Sequence, residues 1–188
     1  MSGLPLLSCG PVTLRRPVPR DMQDRLRVGR VPEYILMCGG ELDDSTAFSD
    51  ADAIAWYERA LSKPYGRCIE VGERCIGHAR LHSVDEAHRR ARYAIGIFDP
   101  SAWGHGYGTL ATRLVLRYAF EEMSLHRVDL RVLAYNERAI ACYRAARFRQ
   151  EAIEREAAFI GGRWHDDVIM SILVQEYRAL NSTTPHDG

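Results

Sequence analysis

Absences narrow this sequence before any motif does. Net charge is missing: 25 lysines and arginines balance 25 aspartates and glutamates over 188 residues. Without a basic excess there is no bulk attraction to nucleic acid or to an anionic membrane. No apolar run approaches the roughly 18 residues that span a bilayer, and the opening MSGLPLLSCG is short and lacks the basic flank of a signal peptide. Cysteine is sparse and unpatterned. Cys9, Cys38, Cys68, Cys75 and Cys142 are odd in number and form no C-x-x-C pair. A disulfide framework and a zinc site are therefore not expected, no metal is called for, and a reducing cytoplasm fits. Lysine is almost absent; every cation but Lys63 is an arginine, which reads first as coding bias.

What remains is ordinary for one globular domain: 46% hydrophobic and 27% charged residues, enough to bury a core without staples. No repeat, low-complexity stretch or second boundary interrupts it. We expect a single domain over residues 1–180 and a disordered polar tail over 181–188.

Alternation predicts a strand over Val12–Arg16, ended by Pro17 and Pro19. Arg20–Arg30 reads as a polar helix. Pro32–Gly40 is ambiguous, and Gly39-Gly40 with Asp43-Asp44 marks a loop. Ser49 caps a helix reaching Lys63, with Asp50 and Asp52 in its first turn. A hairpin follows: Arg67–Val71, a Gly72-Glu73 turn, then Arg74–His82. Ser83–Arg90 reads as a loop. Arg92–Phe98 reads as a central strand buried on both faces. Thr109–Met123 carries a helical stripe of Leu110, Leu114 and Tyr118. Arg127–Ala134 is a strand, Asn136–Ala146 a helix capped by Asn136, and Phe148–Ile160 with Trp164–Val174 a closing pair joined at Gly161-Gly162.

The strongest local signal is strand, glycine-rich loop, helix, from Ile95 to about Met123. Glycines allow tight turns and close ligand approach. The helix start offers unpaired N–H groups and a positive dipole end, which together suit a phosphate or pyrophosphate. Two nucleotide motifs fail here. A P-loop needs a lysine that is absent, and a G-x-G-x-x-G fingerprint meets Thr109 where its third glycine belongs.

The loop Trp103-Gly104-His105-Gly106-Tyr107-Gly108 instead resembles the [QR]-x-x-G-x-[GA] acetyl-CoA loop of the GCN5-related N-acetyltransferase (GNAT) superfamily, with Trp103 in the place of Gln or Arg. After an intervening helix and strand, Asn136, Ala139, Tyr143 and Arg147-Phe148 resemble its N-x-x-A-x-x-x-Y-x-x-x-G-F pattern. The likeness lies nearest the branch of ribosomal-protein-alanine and spermidine acetyltransferases, and Gly162-Arg163-Trp164-His165-Asp166 looks like that branch's closing hairpin. It implies an α/β (α+β) fold, a twisted, mostly antiparallel mixed sheet flanked by helices, with the central strand and the strand from Arg127 splayed. It implies acetyl-CoA as cosubstrate. The backbone of Gly96, Ile97 and Phe98 would pair with the pantetheine arm. The N–H groups of Gly104, His105, Gly106, Tyr107, Gly108 and Thr109 would hold the pyrophosphate. Asn136 would contact the cosubstrate near the thioester, and Tyr143 would protonate the leaving thiolate.

The sequence departs from the pattern at Ala94, where many relatives carry Glu, at Leu110, and at Arg147, which takes a glycine place. The base is left among Glu33, Glu70, a histidine and solvent-relayed water. His78 and His82 share a strand face without a third ligand at metal spacing. Cys142 reads as a structural thiol. The implied reaction is transfer of acetyl to a small primary amine: a polyamine, an aminoglycoside-like compound or an amino-acid derivative. A protein N-terminus is the alternative acceptor. A polyamine pocket would draw on Glu33, Glu41, Asp43 and Asp44. A non-catalytic acyl-CoA-binding module and a nucleotide-binding switch are rival classes. Edge strands of the sheet would allow a homodimer.

Overall fold

A computed structural model describes residues 5–42 and 47–181. The chain runs β1 (Leu7–Cys9), β2 (Val12–Arg15), α1 (Arg20–Val28), α2 (Pro32–Met37), α3 (Asp50–Leu61), β3 (Gly66–Val71), β4 (Arg74–Asp85), β5 (Arg90–Ile97), α4 (Tyr107–Arg117), β6 (Arg127–Leu133), α5 (Glu137–Ala145), β7 (Arg149–Ile160), β8 (Arg163–Leu173) and α6 (Val174–Asn181). The strands form one eight-stranded sheet in the order β1-β2-β3-β4-β5-β6-β8-β7. Every neighbouring pair is antiparallel except β5 with β6. This is the mixed, mostly antiparallel sheet flanked by helices that the sequence implies.

Strand alternation sorts side chains onto two faces. Ile69, Ile76, Leu81, Tyr93, Val128 and Leu130 face the main core, into which α4 sets Ala111, Leu114 and Val115. Cys68, one residue before Ile69, points the other way and joins Cys75 and Phe98 in a smaller cluster with Val28, Tyr34 and Trp56. Helices α1 and α3 are fixed by local chemistry. The fully buried Asp21 carboxylate accepts two bonds from Arg15, at 2.7 and 2.9 Å, and one from the Val18 N–H at 2.8 Å, tying α1 to β2. Ser49 and Asp52 cap α3 reciprocally, each side chain accepting from the other's backbone N–H (3.2 and 2.9 Å), an arrangement that stabilises a helix start by about 1 kcal/mol.

The structure corrects several expectations. Past Arg92, which the apolar run excludes, β5 is not buried throughout: Tyr93, Gly96 and Phe98 are buried, while Ala94, Ile95 and Ile97 are half-buried where they border the cavities. β4 extends through Asp85 into the stretch read as a loop, its pairing with β5 resuming at Asp85↔Arg90 after an irregularity. The ambiguous Pro32–Met37 is a helix begun by its proline. The α4 stripe ends at Arg117 and continues as one wider π turn over Tyr118–Glu122. β1 and α6 had no sequence signal strong enough to place them. The Asp43-Asp44 loop and the tail beyond residue 181 lie outside the described residues. Among the described residues no helix is long and apolar enough to cross a membrane.

Candidate active site

Strands β5 and β6 pair only at Arg90↔Arg127, Ala91↔Val128 and Arg92↔Asp129, although β5 runs on to Ile97 and β6 to Leu133. Beyond those three pairs the strands part; a cavity of about 370 Å³ opens against Ile95–Ile97 of β5, walled by α2, the 102–109 turn and α5, and Arg131–Leu133 of β6 line a cavity adjoining it. The register decides which backbone groups face it. The Phe98 N–H donates to the Ile76 carbonyl at 3.0 Å. Polar groups alternate along an antiparallel strand, so Ala94, Gly96 and Phe98 turn theirs to β4, and Ile95 and Ile97 turn theirs to the cleft. Of the three backbone positions implied to pair with pantetheine, Ile97 therefore faces the opening. Gly96 lines it without offering its N–H, and Phe98 is fully buried in the small cluster. The Ile97 carbonyl already accepts the Trp103 indole N–H at 2.9 Å. Trp103 thus shapes the cleft: its ring carries the Arg138 guanidinium at 4.0 Å, and Arg138 in turn pairs with Glu33 at 2.5 Å.

Gly104 and Gly106 lie at the mouth with φ of 78° and 76°, the left-handed region that L side chains avoid, and with open space around them. This turn delivers the chain into α4 with no side-chain cap at Gly106. The N–H groups of the first turn, Tyr107 to Thr109, are thus left for a ligand. His105 is exposed and stacks on Tyr107, with ring centroids 5.5 Å apart. Gly108 packs under Cys142, whose sulfur would lie 3.3 Å from any added Cβ. Burial pushes the Cys142 thiol up from its ordinary value.

The spacing from Tyr143 to Phe148 is a helix-termination device. The Phe148 N–H reaches back to the Tyr143 carbonyl (3.0 Å) and the Arg147 N–H to the Arg144 carbonyl (2.9 Å), with Arg147 at φ 75°. These are the two bonds of a Schellman cap, and the Tyr143–Phe148 ring contact at 5.8 Å is its apolar clasp. Tyr143 is consequently held 5% exposed, edge-on to Tyr93, at the inner end of the cleft. Burial raises its phenol well above the ordinary value, so it stays protonated. Asn136 lines the same cleft, but its amide is engaged: Oδ1 accepts from the Ala139 N–H at 3.1 Å and Nδ2 donates to the Met37 carbonyl at 2.9 Å. With the Tyr135 hydroxyl on the Leu36 carbonyl (2.7 Å), it straps α2 across the opening.

That strap brings in residues the sequence did not single out, namely Tyr34, Met37 and Cys38. Tyr34 closes on β5, its hydroxyl 2.6 Å from where a Gly96 Cβ would stand. Ala94 leaves β5 without a carboxylate and lines a second, contiguous cavity of about 510 Å³. Among the base candidates, Glu70 is engaged by Arg15 and Arg20 (2.5 and 2.6 Å) away from both cavities. Glu33 is held at the rim by Arg138. His78 sits opposite Gly96 in the β4–β5 register. Burial, with Arg80 and Arg25 nearby, lowers its pKa to about 4. Leu110 packs against the main core. Asp21, Cys68 and Cys75 place ligand atoms within 4.8 Å of one another. Arg15 holds both Asp21 oxygens, so the trio is a packed cluster rather than an open donor set.

Comparison with known proteins gives a consistent result. The model of the acetyltransferase (GNAT) domain family matches residues 12–149. Spermidine N(1)-acetyltransferase of Escherichia coli K12 is 33% identical over 115 residues, 61% of this chain and 61% of that protein. A probable N-acetyltransferase of Bacillus subtilis is 30% identical over 124 residues, 64% and 68% of the two chains. The chain thus spans about three fifths of the length of the spermidine relative. Among solved structures, a putative acetyltransferase superposes with a TM-score of 0.79 at 23% identity, over 97% of this chain and 93% of that one. Spermidine N-acetyltransferase from Vibrio cholerae, in complex with CoA and spermine, gives 0.72 at 24%, over 89% and 98%. At these identities the superpositions establish the fold.

Proposed function

This chain belongs to the GNAT acetyltransferase family, and on that premise, supported by its likeness to spermidine and putative ribosomal N-acetyltransferases, we propose that it transfers acetyl from acetyl-CoA to a small primary amine by direct attack. The observation that carries the reading is the protonated, buried Tyr143 phenol at the inner end of a cleft whose outer end is an uncapped helix start. The α4 N–H groups and the Gly104–Gly106 turn suit a pyrophosphate. The Ile95 backbone and the Ile97 N–H are left for an extended arm, which would add to β5 like a strand. Acetyl-CoA would supply the activated acyl group.

In the reaction the neutral amine attacks the thioester carbonyl. The N–C bond forms, the C–S bond breaks, and Tyr143 gives its proton to the departing sulfur. The proton lost by the amine leaves through solvent, since among the described residues no free carboxylate stands beside Gly96. A mere acyl-CoA-binding module has no use for a phenol held protonated at the reacting end, and this disfavours the binding-only alternative. The free thiols accord with a cytoplasmic setting.

The test is Tyr143→Phe, assayed by acetyl-CoA calorimetry and by CoA release across an amine panel. We expect unchanged binding and a fall in kcat of about 10²-fold or more, the usual worth of a positioned proton donor. Failure of the parent protein to bind acetyl-CoA would sink the reading.

A further inference from the structure

A third cavity, of about 330 Å³, lies on the α1–α3 side of β4 and shares Tyr34, His78 and Arg80 with the acceptor cavity over Gly96. Its lining is one-signed. Arg25, Arg59, Lys63, Arg67 and Arg80 line it, and among the described residues no carboxylate does. None of the five makes an ion pair with a described residue. Arg67 is only 4% exposed; it donates to the Pro64 and Gly66 carbonyls, and its Nε has no partner. Arg25, 6% exposed, is sandwiched by Phe48 and Phe98 at 3.8 and 5.0 Å. The Nδ1 of His78 is buried and has no partner either.

Buried cations without a counter-charge and buried polar atoms without a bond are costly. Arg67 and His78 line the cavity together with Arg25, Arg59, Lys63 and Arg80, and this one-signed lining marks a place for an anionic, hydrogen-bonding ligand. Burial lowers both the Arg67 guanidinium and the His78 imidazole from their ordinary values, with Arg16 adding to the first shift and Arg80 and Arg25 to the second. The acceptor cavity itself contains one carboxylate among its described lining residues. This is Asp167, which Arg131 neutralises at 2.9 Å. Among the described residues nothing there rewards a polycation.

We propose, building on the acetyltransferase reading, that the acceptor is an amine bearing an anionic group, carboxylate or phosphate, with the amine at Gly96 and the anion on Arg80 in the basic cavity beside it. Gly96 and His78 are neighbours, a Gly96 Cβ lying 3.3 Å from the imidazole Cε1, so a few bonds separate the two ends of such a substrate. The same cations lower the pKa of the bound ammonium, which lets it lose its proton without the carboxylate that Ala94 does not provide. A polyamine is repelled by this wall.

The experiment compares kcat/KM for matched pairs at fixed ionic strength: O-phosphoethanolamine against ethanolamine, and β-alanine against its methyl ester, with spermidine alongside. The two pairs separate phosphate from carboxylate. We expect the anionic member of one pair to exceed its partner at least tenfold and to exceed spermidine. Arg80→Gln should reduce that preference below threefold through KM, with acetyl-CoA affinity unchanged. Lys63→Glu, at the exposed rim, should reduce it too without risk to the fold. Inorganic phosphate should raise the melting temperature of the parent and not of Arg80→Gln, a readout independent of turnover. Spermidine as the preferred acceptor, or a preference that survives Arg80→Gln, overturns the proposal and leaves the transferase reading intact. Phosphate stabilisation without acetyl-CoA binding leaves an anion site and removes the transferase reading.

Discussion

On one side, β5 borders a cleft whose binding groups are mainly backbone: strand groups at Ile95 and Ile97, left-handed glycines, and the N–H groups of a helix start, with the Tyr143 phenol at its inner end. On its β4 side, toward α1–α3, the walls are long charged side chains from four separate elements, α1, α3, β3 and β4. Backbone binding sites depend on conformation, and conformation restricts which residues can stand at a few fixed offsets. Side-chain sites depend on which residues a fold happens to bring together. The first arrangement fits a ligand that stays the same from relative to relative. The second can change without disturbing the sheet.

The acid response of His78 breaks the comparison most sharply. Its folded pKa of about 4 lies below the ordinary 6.5, set first by burial and then by Arg80 and Arg25. Below pH 6.5 the unfolded chain takes a proton that the folded chain refuses. Stability is therefore complete above about pH 7 and declines as pH falls from 6.5 toward 4, by up to about 3 kcal/mol. Denaturant midpoints at pH 7.5 and 4.5 should show a larger drop in the parent than in His78→Gln, since other acid-titrating groups are common to both. Equal drops would mean that His78 is solvated and that the β4 side is not the closed cationic wall described above.

The same contrast explains what the sequence disclosed. The glycine loop and the Asn136–Phe148 spacing were readable because each is a local backbone device: a left-handed turn feeding a helix, and a Schellman cap that fixes Tyr143. The splay of β5 from β6 followed from the family resemblance. The role of α2 did not. Pro32–Met37 is six residues long, and its place over the cleft depends on Tyr135 and Asn136, about a hundred residues later. The basic cavity was equally hidden, because Arg67 and Arg80 look like any others in an arginine-rich chain until the fold removes their counter-charges. Which of Gly96, Ile97 and Phe98 turns its polar groups to the cleft was not legible either, because only the register with Ile76 shows that Gly96 and Phe98 face β4 and Ile97 the opening.

A smaller effect tests the backbone side. Gly106→Ala meets no atom within 4 Å, so its cost is conformational alone, about 1–2 kcal/mol at φ 76°. The alanine variant should melt several degrees lower and bind acetyl-CoA several-fold more weakly, with the KM for the amine unchanged. Calorimetry and a melting curve decide it; an unchanged affinity would remove the turn from the binding site.

The smallest effect is a gain. Arg147 occupies the left-handed position of the α5 cap at φ 75°, exposed and with no side-chain partner among the described residues. Replacing it by glycine relieves the strain while keeping both cap bonds, a stabilisation of about 1 kcal/mol. That shifts the melting point of a chain this size by roughly 2–4 °C. Arg147→Ala is the control, because alanine keeps the φ penalty and should gain nothing. The kinetic comparison is the more instructive one. Tyr143 is the residue whose carbonyl the cap engages, so if the cap is already fully formed, Arg147→Gly raises stability and leaves kcat alone. A rise in kcat would show that the arginine lets the end of α5 loosen, and that the phenol reaches its place at the inner end of the cleft only part of the time.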